Sequence, residues 1–264
     1  MPPEAVLDAP DVAALGWLRP DWDAPAPALM TTRHGGVSQG PYAGLNVSRS
    51  VGDDDAAVAE NRRRVERAIG APIAWLNLVH GADVVCVTEP SPEPRPRADA
   101  AWTDRPGVAC AVTAADCLPV LFSSADGAVV AAAHAGWRGL AAGVLEATVE
   151  ALRQGAGVAP ATLRAWLGPC IGPAAYEVGK DVVAAFGGSA AAPGPGFRAA
   201  ASGPDGCPRW RADLPLLARV RLQAVGVQQI TGGTWCTASD ASRFFSHRRD
   251  RVTGRMVAAI RSAR

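Results

Sequence analysis

The sequence predicts a mixed α/β fold in which several strands pack against amphipathic helices. Short apolar or β-branched segments bounded by turn residues are typical of strands, and such segments occur at 109–113, 118–122, 128–133, 163–167 and 227–231. Helix-like segments alternate with them, at 54–69, 139–154, 178–186 and 212–225. A chain of 264 residues, 48% of them hydrophobic, can bury a substantial core, so the elements are predicted to share one domain.

The helix predicted at 139–154 has a clear amphipathic pattern. Its apolar face is expected to contain Leu140, Val144, Ala147 and Ala151, which recur at helical spacing. The opposite face carries the polar side chains Glu146, Glu150, Arg153 and Gln154. Such a helix is expected to cover one face of a sheet.

The helix predicted at 54–69 places polar side chains on its apolar side. Asp53 or Asp54 can cap it, and its apolar stripe begins at Val58. Asn61 and Arg62 follow three and four residues later, on the same side. Because a buried unpaired charge is costly, Arg62 needs an internal partner, a path for its head group to reach water, or an anionic ligand.

Two segments rich in proline and glycine, 89–97 and 187–208, are predicted to be surface loops. The periodic segments beside them are too short to indicate separate domains. A single domain is therefore expected to span residues 1–264.

Charge and cysteine content limit the classes of partner. The net charge of +1 argues against a protein that binds nucleic acid through phosphate attraction. No apolar segment is long enough to span a membrane, and the N-terminus has no signal-peptide pattern. Six cysteines without a Cys-x-x-Cys pair favour a reducing compartment, so a cytoplasmic location is predicted.

Three reactive side chains lie at the ends of apolar segments. His80 ends IAWLNLVH, Cys117 lies between two predicted strands, and His134 ends AVVAAAH. One thiolate and two imidazoles suit Zn²⁺ and leave a fourth coordination position open, and the same donors can bind copper. Each residue alone also fits an ordinary core position, and Cys117 with His134 could instead form the nucleophile–base pair of a cysteine hydrolase.

The segment HAGWRG links a predicted strand to a predicted helix. Gly136 and the residues after it present backbone N–H groups at a helix N-terminus, and Arg138 adds a positive charge. This turn is a candidate contact for an anionic substrate group. Of the other histidines, His34 is expected to face solvent, and His247 is expected in a structural role or at the rim of a ligand site.

Several motifs, in order along the chain, resemble those of the bacterial YfiH-type family. They are TTRHGGVS (31–38), GLNVS (44–48), ENRRRV (60–65), LVHGADV (78–84), ADAAWTDRPG (98–107), TAADCLPVLF (113–122), AAHAGWRGLAAGVLE (132–146), LGPCIGPAAYEVG (167–179) and FFSHRRDRVTGRM (244–256). The combination of ADCLPV with HAGWRG is highly specific. Members of this family are described as polyphenol oxidases or laccases, purine nucleoside phosphorylases, and peptidoglycan editing factors.

The resemblance implies a domain of mixed sheets flanked by helices, a fold shared with cysteine-hydrolase-like toxin domains. It also implies that the family's metal ligands, which are its catalytic residues, correspond to His80, Cys117 and His134. His34 and His247 depart from the family pattern, which more often has an apolar residue and Tyr there.

The activity implied by the resemblance is phosphorolysis of adenosine, inosine, guanosine and methylthioadenosine, together with deamination of adenosine. A purine nucleoside and phosphate are then the small-molecule partners, and the oligomeric state is left open. Candidate substrate contacts are Asn46, Arg62, Gly136 and Arg138. The alternatives are a copper-dependent polyphenol oxidase, for which only four histidines are present, and a hydrolase that edits peptidoglycan precursors.

Overall fold

A computed structural model describes residues 12–90 and 94–264. The strands are β1 (Ala28–Met30), β2 (Ile73–Ala74), β3 (Val84–Cys86), β4 (Ala100–Thr103), β5 (Ala109–Ala114), β6 (Leu118–Ser123), β7 (Val130–Ala135), β8 (Arg164–Leu167), β9 (Glu177–Val178), β10 (Phe197–Ala200), β11 (Arg209–Ala212), β12 (Gln229–Gly232) and β13 (Met256–Arg261). The α-helices are α1 (Asp55–Ile69), α2 (Trp137–Ala142), α3 (Val144–Ala156), α4 (Lys180–Ala185), α5 (Leu214–Ala224) and α6 (His247–Asp250). Short 3₁₀ helices occupy Gly40–Tyr42 and Pro160–Thr162.

The strands form three sheets. The largest has the order β12-β8-β6-β7-β4-β3, the second β1-β13-β5-β2, and the smallest β10-β11-β9. The pairs β12–β8, β3–β4 and β2–β5 are parallel and the others are antiparallel. The predicted fold class is confirmed: the described residues form one domain of mixed sheets flanked by helices. The predicted domain also included residues 1–11, which lie outside the described residues.

Alternating side chains of the central strands divide the core into layers. In β6, Val120 and Phe122 join the cluster under α3 and α5, whereas Leu121 faces the four-stranded sheet. In β5, Val112 faces the six-stranded sheet, and Ala111 packs toward α1. Because both faces of these strands are covered, their sequences are almost continuously apolar rather than alternating.

The helix predicted at 139–154 is two helices, because Gly143 adopts φ 94° and ends α2 before α3 begins. The break shifts the buried face of α3, whose core contacts come from Leu145, Val149 and Leu152 as well as Val144. Ala147 and Ala151 are only half-buried. The predicted apolar face assumed one continuous helix from 139 to 154. The left-handed conformation of Gly143 ends the first helix, so the side chains of the second point in different directions from those predicted.

The segment 187–208 is not wholly a loop, because it contains β10, which pairs with β11. Strand β10 sits at the edge of the small sheet, with Arg198 and Ala199 exposed, so its sequence lacks a strong apolar signal. Within the described residues, no helix combines the length and apolar composition that a membrane crossing requires.

A candidate metal centre and its cavity

The fold brings the three predicted ligands together. His80 lies in the loop between β2 and β3, Cys117 in the turn between β5 and β6, and His134 in β7. One potential ligand atom from each lies within 4.8 Å of the other two. The imidazole rings of His80 and His134 meet edge to face, with centroids 4.8 Å apart. Residues distant in sequence thus converge because β6 and β7 are neighbouring strands and the His80 loop folds over their ends.

Asp99 holds the His80 loop in place. The His80 backbone is left-handed, with φ 61°, which a non-glycine residue adopts only at some cost. The buried Asp99 carboxylate accepts hydrogen bonds from three successive backbone N–H groups, those of Val79 (3.1 Å), His80 (2.9 Å) and Gly81 (2.7 Å). These bonds offset the strain and fix the position of the His80 ring.

The same carboxylate orients His134. Asp99 Oδ1 lies 2.9 Å from Nδ1 of the buried His134 ring. A carboxylate can only accept, so Nδ1 carries the proton and Nε2 is the nitrogen left to face a metal or the Cys117 thiol. Carboxylate–histidine pairs of this kind support metal ligands in many proteins.

Cys117 follows a strained residue. Asp116 has φ 93°, and its carboxylate accepts from Thr237 Oγ1 (2.6 Å) and from the backbone N–H of Arg248 (2.6 Å). These bonds tie the turn between β5 and β6 to the segment before β13. The two hydrogen bonds therefore hold Asp116 in its strained conformation. This turn sets the direction of the Cys117 side chain.

The electrostatic environment favours a thiolate. Burial raises the pKa of the Cys117 thiol, but the positive charge and hydrogen bonds of His134 and His80 outweigh burial and lower that pKa to about 6. Burial lowers the pKa of His134, but the Cys117 thiolate and the Asp99 carboxylate raise it to about 9. For Asp99, burial raises the pKa, and the hydrogen bonds from His134 and the His80 loop reverse this, so that its pKa is lowered.

Two glycines are required by the close packing around the site. A Cβ atom on Gly136 would lie 2.9 Å from Cys117 Sγ and 3.2 Å from His80 Cδ2. A Cβ atom on Gly139 would lie 2.7 Å from the carbonyl oxygen of Gly81. The HAGWRG turn is therefore glycine-rich because it packs against two of the candidate ligands and the loop that carries His80.

The candidate ligands open into a cavity of about 630 Å³. Its described lining includes residues 111–114 of β5, the aromatic ring of Trp75 and the basic side chains Arg49, Arg62, Arg95, His247 and Arg255. No aspartate or glutamate is among the described lining residues. The cavity is thus suited to an uncharged or anionic ligand with polar groups.

Two arginines in this cavity are firmly oriented. Arg62 is buried, donates from Nε to the Val47 carbonyl (2.8 Å), and stacks on Trp75 with its guanidinium carbon 4.0 Å from the ring centroid. Arg255 donates from Nη1 to the carbonyls of Thr253 (2.9 Å) and Gly254 (3.1 Å). Burial lowers the pKa of Arg255, and no carboxylate of the described residues forms an ion pair with it.

The other candidate substrate residues lie elsewhere. Asn46 is buried, and its amide bonds to Asp53, to Ser48 and to the backbone N–H of Arg255, so it supports the cavity wall rather than lining it. Arg138 is exposed above the Trp137 ring and does not line the cavity. Gly136 packs against Cys117 and His80. His34 is exposed, as predicted, and His247 lies at the cavity rim.

Two further residues of the candidate site, Asp99 and Arg255, were not predicted from the sequence. Asp99 directly precedes the apolar strand β4, and a carboxylate at a strand start is commonly a turn residue. Arg255 directly precedes β13 in a segment crowded with arginines. The only local signal for Asp99 was its place within the ADAAWTDRPG motif.

The donor set fits a single divalent metal ion. Ligand atoms on a tetrahedral zinc ion lie about 3.5 Å apart, since zinc bonds are about 2.0–2.3 Å long. Separations within 4.8 Å therefore need only small side-chain adjustments. A low thiol pKa and a carboxylate behind one imidazole are the features expected of metal ligands.

Comparison with known proteins identifies relatives along most of the chain. The model of the family described as multi-copper polyphenol oxidoreductase laccase matches residues 27–263. The chain is 50% identical to purine nucleoside phosphorylase PA4543 of Pseudomonas aeruginosa over 92% of its length and 97% of that protein. It is 46% identical to purine nucleoside phosphorylase YfiH of Escherichia coli, over 91% and 96% of the two chains.

Solved structures share the fold. Neisseria meningitidis protein NMB0706 has a TM-score of 0.82 and 45% identity, covering 93% of this chain and 98% of that one. YlmD from Geobacillus stearothermophilus has a TM-score of 0.83 and 35% identity, with coverage of 93% and 96%. The motif resemblance, the shared fold and the near-complete coverage agree, and the chain belongs to the YfiH-type family that is described as multi-copper polyphenol oxidoreductase laccase.

Proposed function

We propose that this protein is a zinc-dependent purine nucleoside phosphorylase of the cytoplasm that also deaminates adenosine. Its substrates would be phosphate and the nucleosides adenosine, inosine, guanosine and methylthioadenosine. The observation that carries the proposal is one cavity with a His-Cys-His donor set at its base and arginines in its wall. The names of the Pseudomonas and Escherichia relatives support the same reaction.

The ligands of the metal would be His80, Cys117 and His134. When bound, zinc supplies a Lewis acid that polarises a substrate atom and stabilises negative charge. Asp99 keeps the His134 Nδ1 proton away from the donor nitrogen and holds the His80 loop against the site. The close contacts around Gly136 leave no room for water behind the Cys117 sulfur on that side.

Phosphorolysis places a phosphate oxygen against ribose C1′ while the purine leaves with a proton. Arg255 is the best placed phosphate ligand, because it lines the same cavity as the donor set and its charge is not neutralised by a described carboxylate. A guanidinium binds phosphate through parallel N–H bonds and holds it in one orientation. Such positioning reduces the entropic cost of bringing phosphate and nucleoside together.

The remaining cavity wall is suited to a purine nucleoside. Its volume is within the range of small-molecule sites, and Trp75 with the apolar residues Ala111, Val112 and Ala114 of β5 offers surface for a planar base. Arg62, fixed on the Trp75 ring, can contact the ribose or phosphate without losing further side-chain entropy. Deamination would use the same base pocket: a water oxygen would form a bond to purine C6, and the amino group would leave as ammonia.

The test is a product assay on protein purified without added metal and then loaded with zinc. Inosine plus phosphate is expected to give hypoxanthine and ribose 1-phosphate, and the activity should fall at least 100-fold in Cys117→Ala. Cys86→Ala is the matched control, since Cys86 is exposed and lies outside the cavity lining. Full turnover by Cys117→Ala would contradict the role of the donor set.

A second candidate is a cysteine hydrolase, such as one that edits peptidoglycan precursors. The observation in its favour is the chain of contacts from Asp99 to His134 and from His134 to Cys117, an acid–base–nucleophile order. Such an enzyme would work without metal and would be blocked by alkylation of Cys117. Chelation separates the two functions, because removal of zinc should abolish phosphorolysis and leave hydrolysis intact.

Copper-dependent oxidation of phenols is the remaining alternative, and the family description supports testing it. Two imidazoles and a thiolate can hold one copper ion. A multicopper mechanism needs several further histidines, whereas the chain has four in all, and His34 and His247 do not join the donor cluster. The test compares the rates of phenol oxidation by copper-loaded and zinc-loaded protein at equal metal content. Oxidation by the copper-loaded protein alone would favour the oxidase, and no oxidation by either would exclude it.

A further inference from the structure

Strand β5 places one hydroxyl group in the wall of the cavity. Residues 111–114 of this strand line the cavity, and Thr113 is the only polar residue among them. Its side chain is half-buried, and within the described part of the chain no hydrogen bond involves its hydroxyl. That hydroxyl is not among the unpaired polar atoms that are sealed from solvent, so it opens onto the cavity. It can therefore donate to, or accept from, a ligand.

The register of β5 with β13 places this hydroxyl beside Arg255. Thr113 lies opposite Val257, and side chains opposite each other in an antiparallel pair project from the same face of the sheet. Arg255 precedes Val257 by two positions, so it projects from that face as well. Such diagonal neighbours lie roughly 7–8 Å apart, within reach of a long side chain. Because both residues line the cavity, the Thr113 hydroxyl is a neighbour of the proposed phosphate ligand.

Thr113 also lies between the surface offered to the base and the donor set. Ala111, two residues before it, belongs to the apolar cluster that contains Trp75. Cys117 follows four residues after it, in the turn between β5 and β6. A nucleoside whose base lies against Trp75 and Ala111 therefore places its ribose at Thr113.

The stereochemistry of phosphorolysis brings the ribose 2′-hydroxyl to the same place. Displacement requires the attacking and leaving atoms to be aligned, so the phosphate oxygen approaches C1′ from the face of the ribose opposite to the base. In a ribonucleoside the 2′-hydroxyl is on that opposite face, on the carbon bonded to C1′. A side chain next to the phosphate ligand is thus also next to the 2′-hydroxyl.

We propose that the Thr113 hydroxyl binds the ribose 2′-hydroxyl, so that the enzyme prefers ribonucleosides to 2′-deoxyribonucleosides. The inference rests on the proposed phosphorolysis and adds a specificity-determining residue to it. All four proposed nucleoside substrates carry this hydroxyl. A 2′-deoxynucleoside would leave the Thr113 hydroxyl unpaired in the complex, and sites built around a substrate hydroxyl reject analogues that lack it for this reason.

The test measures the affinities for inosine and 2′-deoxyinosine by calorimetry, with zinc-loaded protein in phosphate-free buffer. Affinities are compared because the glycosidic bond of a 2′-deoxynucleoside is intrinsically more labile, which affects the rates. Inosine is expected to bind about tenfold more tightly, as one hydrogen bond can contribute. Thr113→Val keeps the branched shape and removes the hydroxyl. It should weaken inosine binding about tenfold and change 2′-deoxyinosine binding by less than about twofold. Thr113→Ser should keep the preference.

Thr231→Val is the matched control. Thr231 is half-buried in strand β12, and its hydroxyl has no hydrogen-bond partner among the described residues. It lies outside the cavity lining. The same loss of a hydroxyl should therefore leave both affinities, and the KM for phosphate, unchanged.

Equal affinities for the two nucleosides in the unsubstituted protein, or an equal loss of both in Thr113→Val, would overturn the inference. A higher KM for phosphate in Thr113→Val, with either nucleoside as substrate, would also overturn it, because the hydroxyl would then serve the co-substrate. Inosine phosphorolysis in these cases would leave the proposed function standing. A preference for inosine that is lost in Thr113→Val, without phosphorolysis by the unsubstituted protein, would retain the 2′-hydroxyl contact and contradict the proposed function.

Discussion

Replacing Asp99 with asparagine tests how the site is built, because the change preserves shape and removes charge. The carboxylate accepts four hydrogen bonds: Oδ1 from His80 N and His134 Nδ1, and Oδ2 from the backbone N–H groups of Val79 and Gly81. An amide has one accepting oxygen, so in either orientation its NH₂ group faces two donors. Two of the four bonds are therefore lost in Asp99→Asn.

The expected size of the effect follows from burial. Hydrogen bonds to charged groups contribute about 1.5–3 kcal/mol each, so losing two at a fully buried carboxylate removes about 3–6 kcal/mol before relaxation. After relaxation we expect urea unfolding of the metal-free protein to lose about 3 kcal/mol at an unchanged m value. Zinc affinity, measured by competition with a chromophoric chelator, should fall about 10–100-fold because the His80 loop and the His134 ring lose their orientation.

Asp104→Asn is the matched control. Asp104 is exposed in the same motif, and its ion pair with Arg105 (3.3 Å) lies at the surface, so we expect little change in either measurement. If Asp99→Asn proves too unstable at 25 °C, the zinc titration is made at lower temperature on the folded protein. Zinc affinity within twofold of the unsubstituted protein would refute the role given to Asp99.

Other substitutions test separate parts of the site. Gly136→Ala should weaken zinc binding at least tenfold, measured by chelator competition, because its Cβ would lie 2.9 Å from Cys117 Sγ; unchanged affinity would contradict the packing argument. Gly139→Ala should lower the free energy of unfolding by about 1–3 kcal/mol in urea, since its Cβ would overlap the Gly81 carbonyl. Arg255→Gln should raise the KM for phosphate about tenfold and leave zinc content at the unsubstituted level; an unchanged KM would remove Arg255 from the phosphate site.

Much of the fold could be predicted from the sequence because strands buried on both faces are continuously apolar. Strands β5, β6, β7 and β8 fall close to the predicted segments for this reason. Strand β12 also falls close to its predicted segment, although it lies at a sheet edge and is only partly buried. Strand β13 was not predicted, although it is buried and lies between β1 and β5, because its apolar run follows a segment dominated by arginines. The division of the predicted helix at Gly143 depends on a backbone conformation that glycine permits but does not require.

The candidate ligands could be predicted because strand ends are where α/β folds assemble sites, and the family motifs identified which strand ends to compare. The residues that hold these candidate ligands in position could not be predicted. Asp99 matters through contacts with the His80 loop and with His134, which only the pairing of β4 with β7 brings together. The cationic cavity likewise combines arginines from separate segments, and a net charge of +1 for the chain conceals it.

The most direct test of the account is a zinc titration of metal-free protein, followed by the rate of hypoxanthine formation from inosine and phosphate. A single centre built from His80, Cys117 and His134 predicts that activity rises in proportion to added zinc and reaches its maximum at one equivalent per chain. Copper added in the same way should not substitute for zinc in this reaction. Full activity in metal-free protein, or activity that continues to rise beyond one equivalent, would contradict the account.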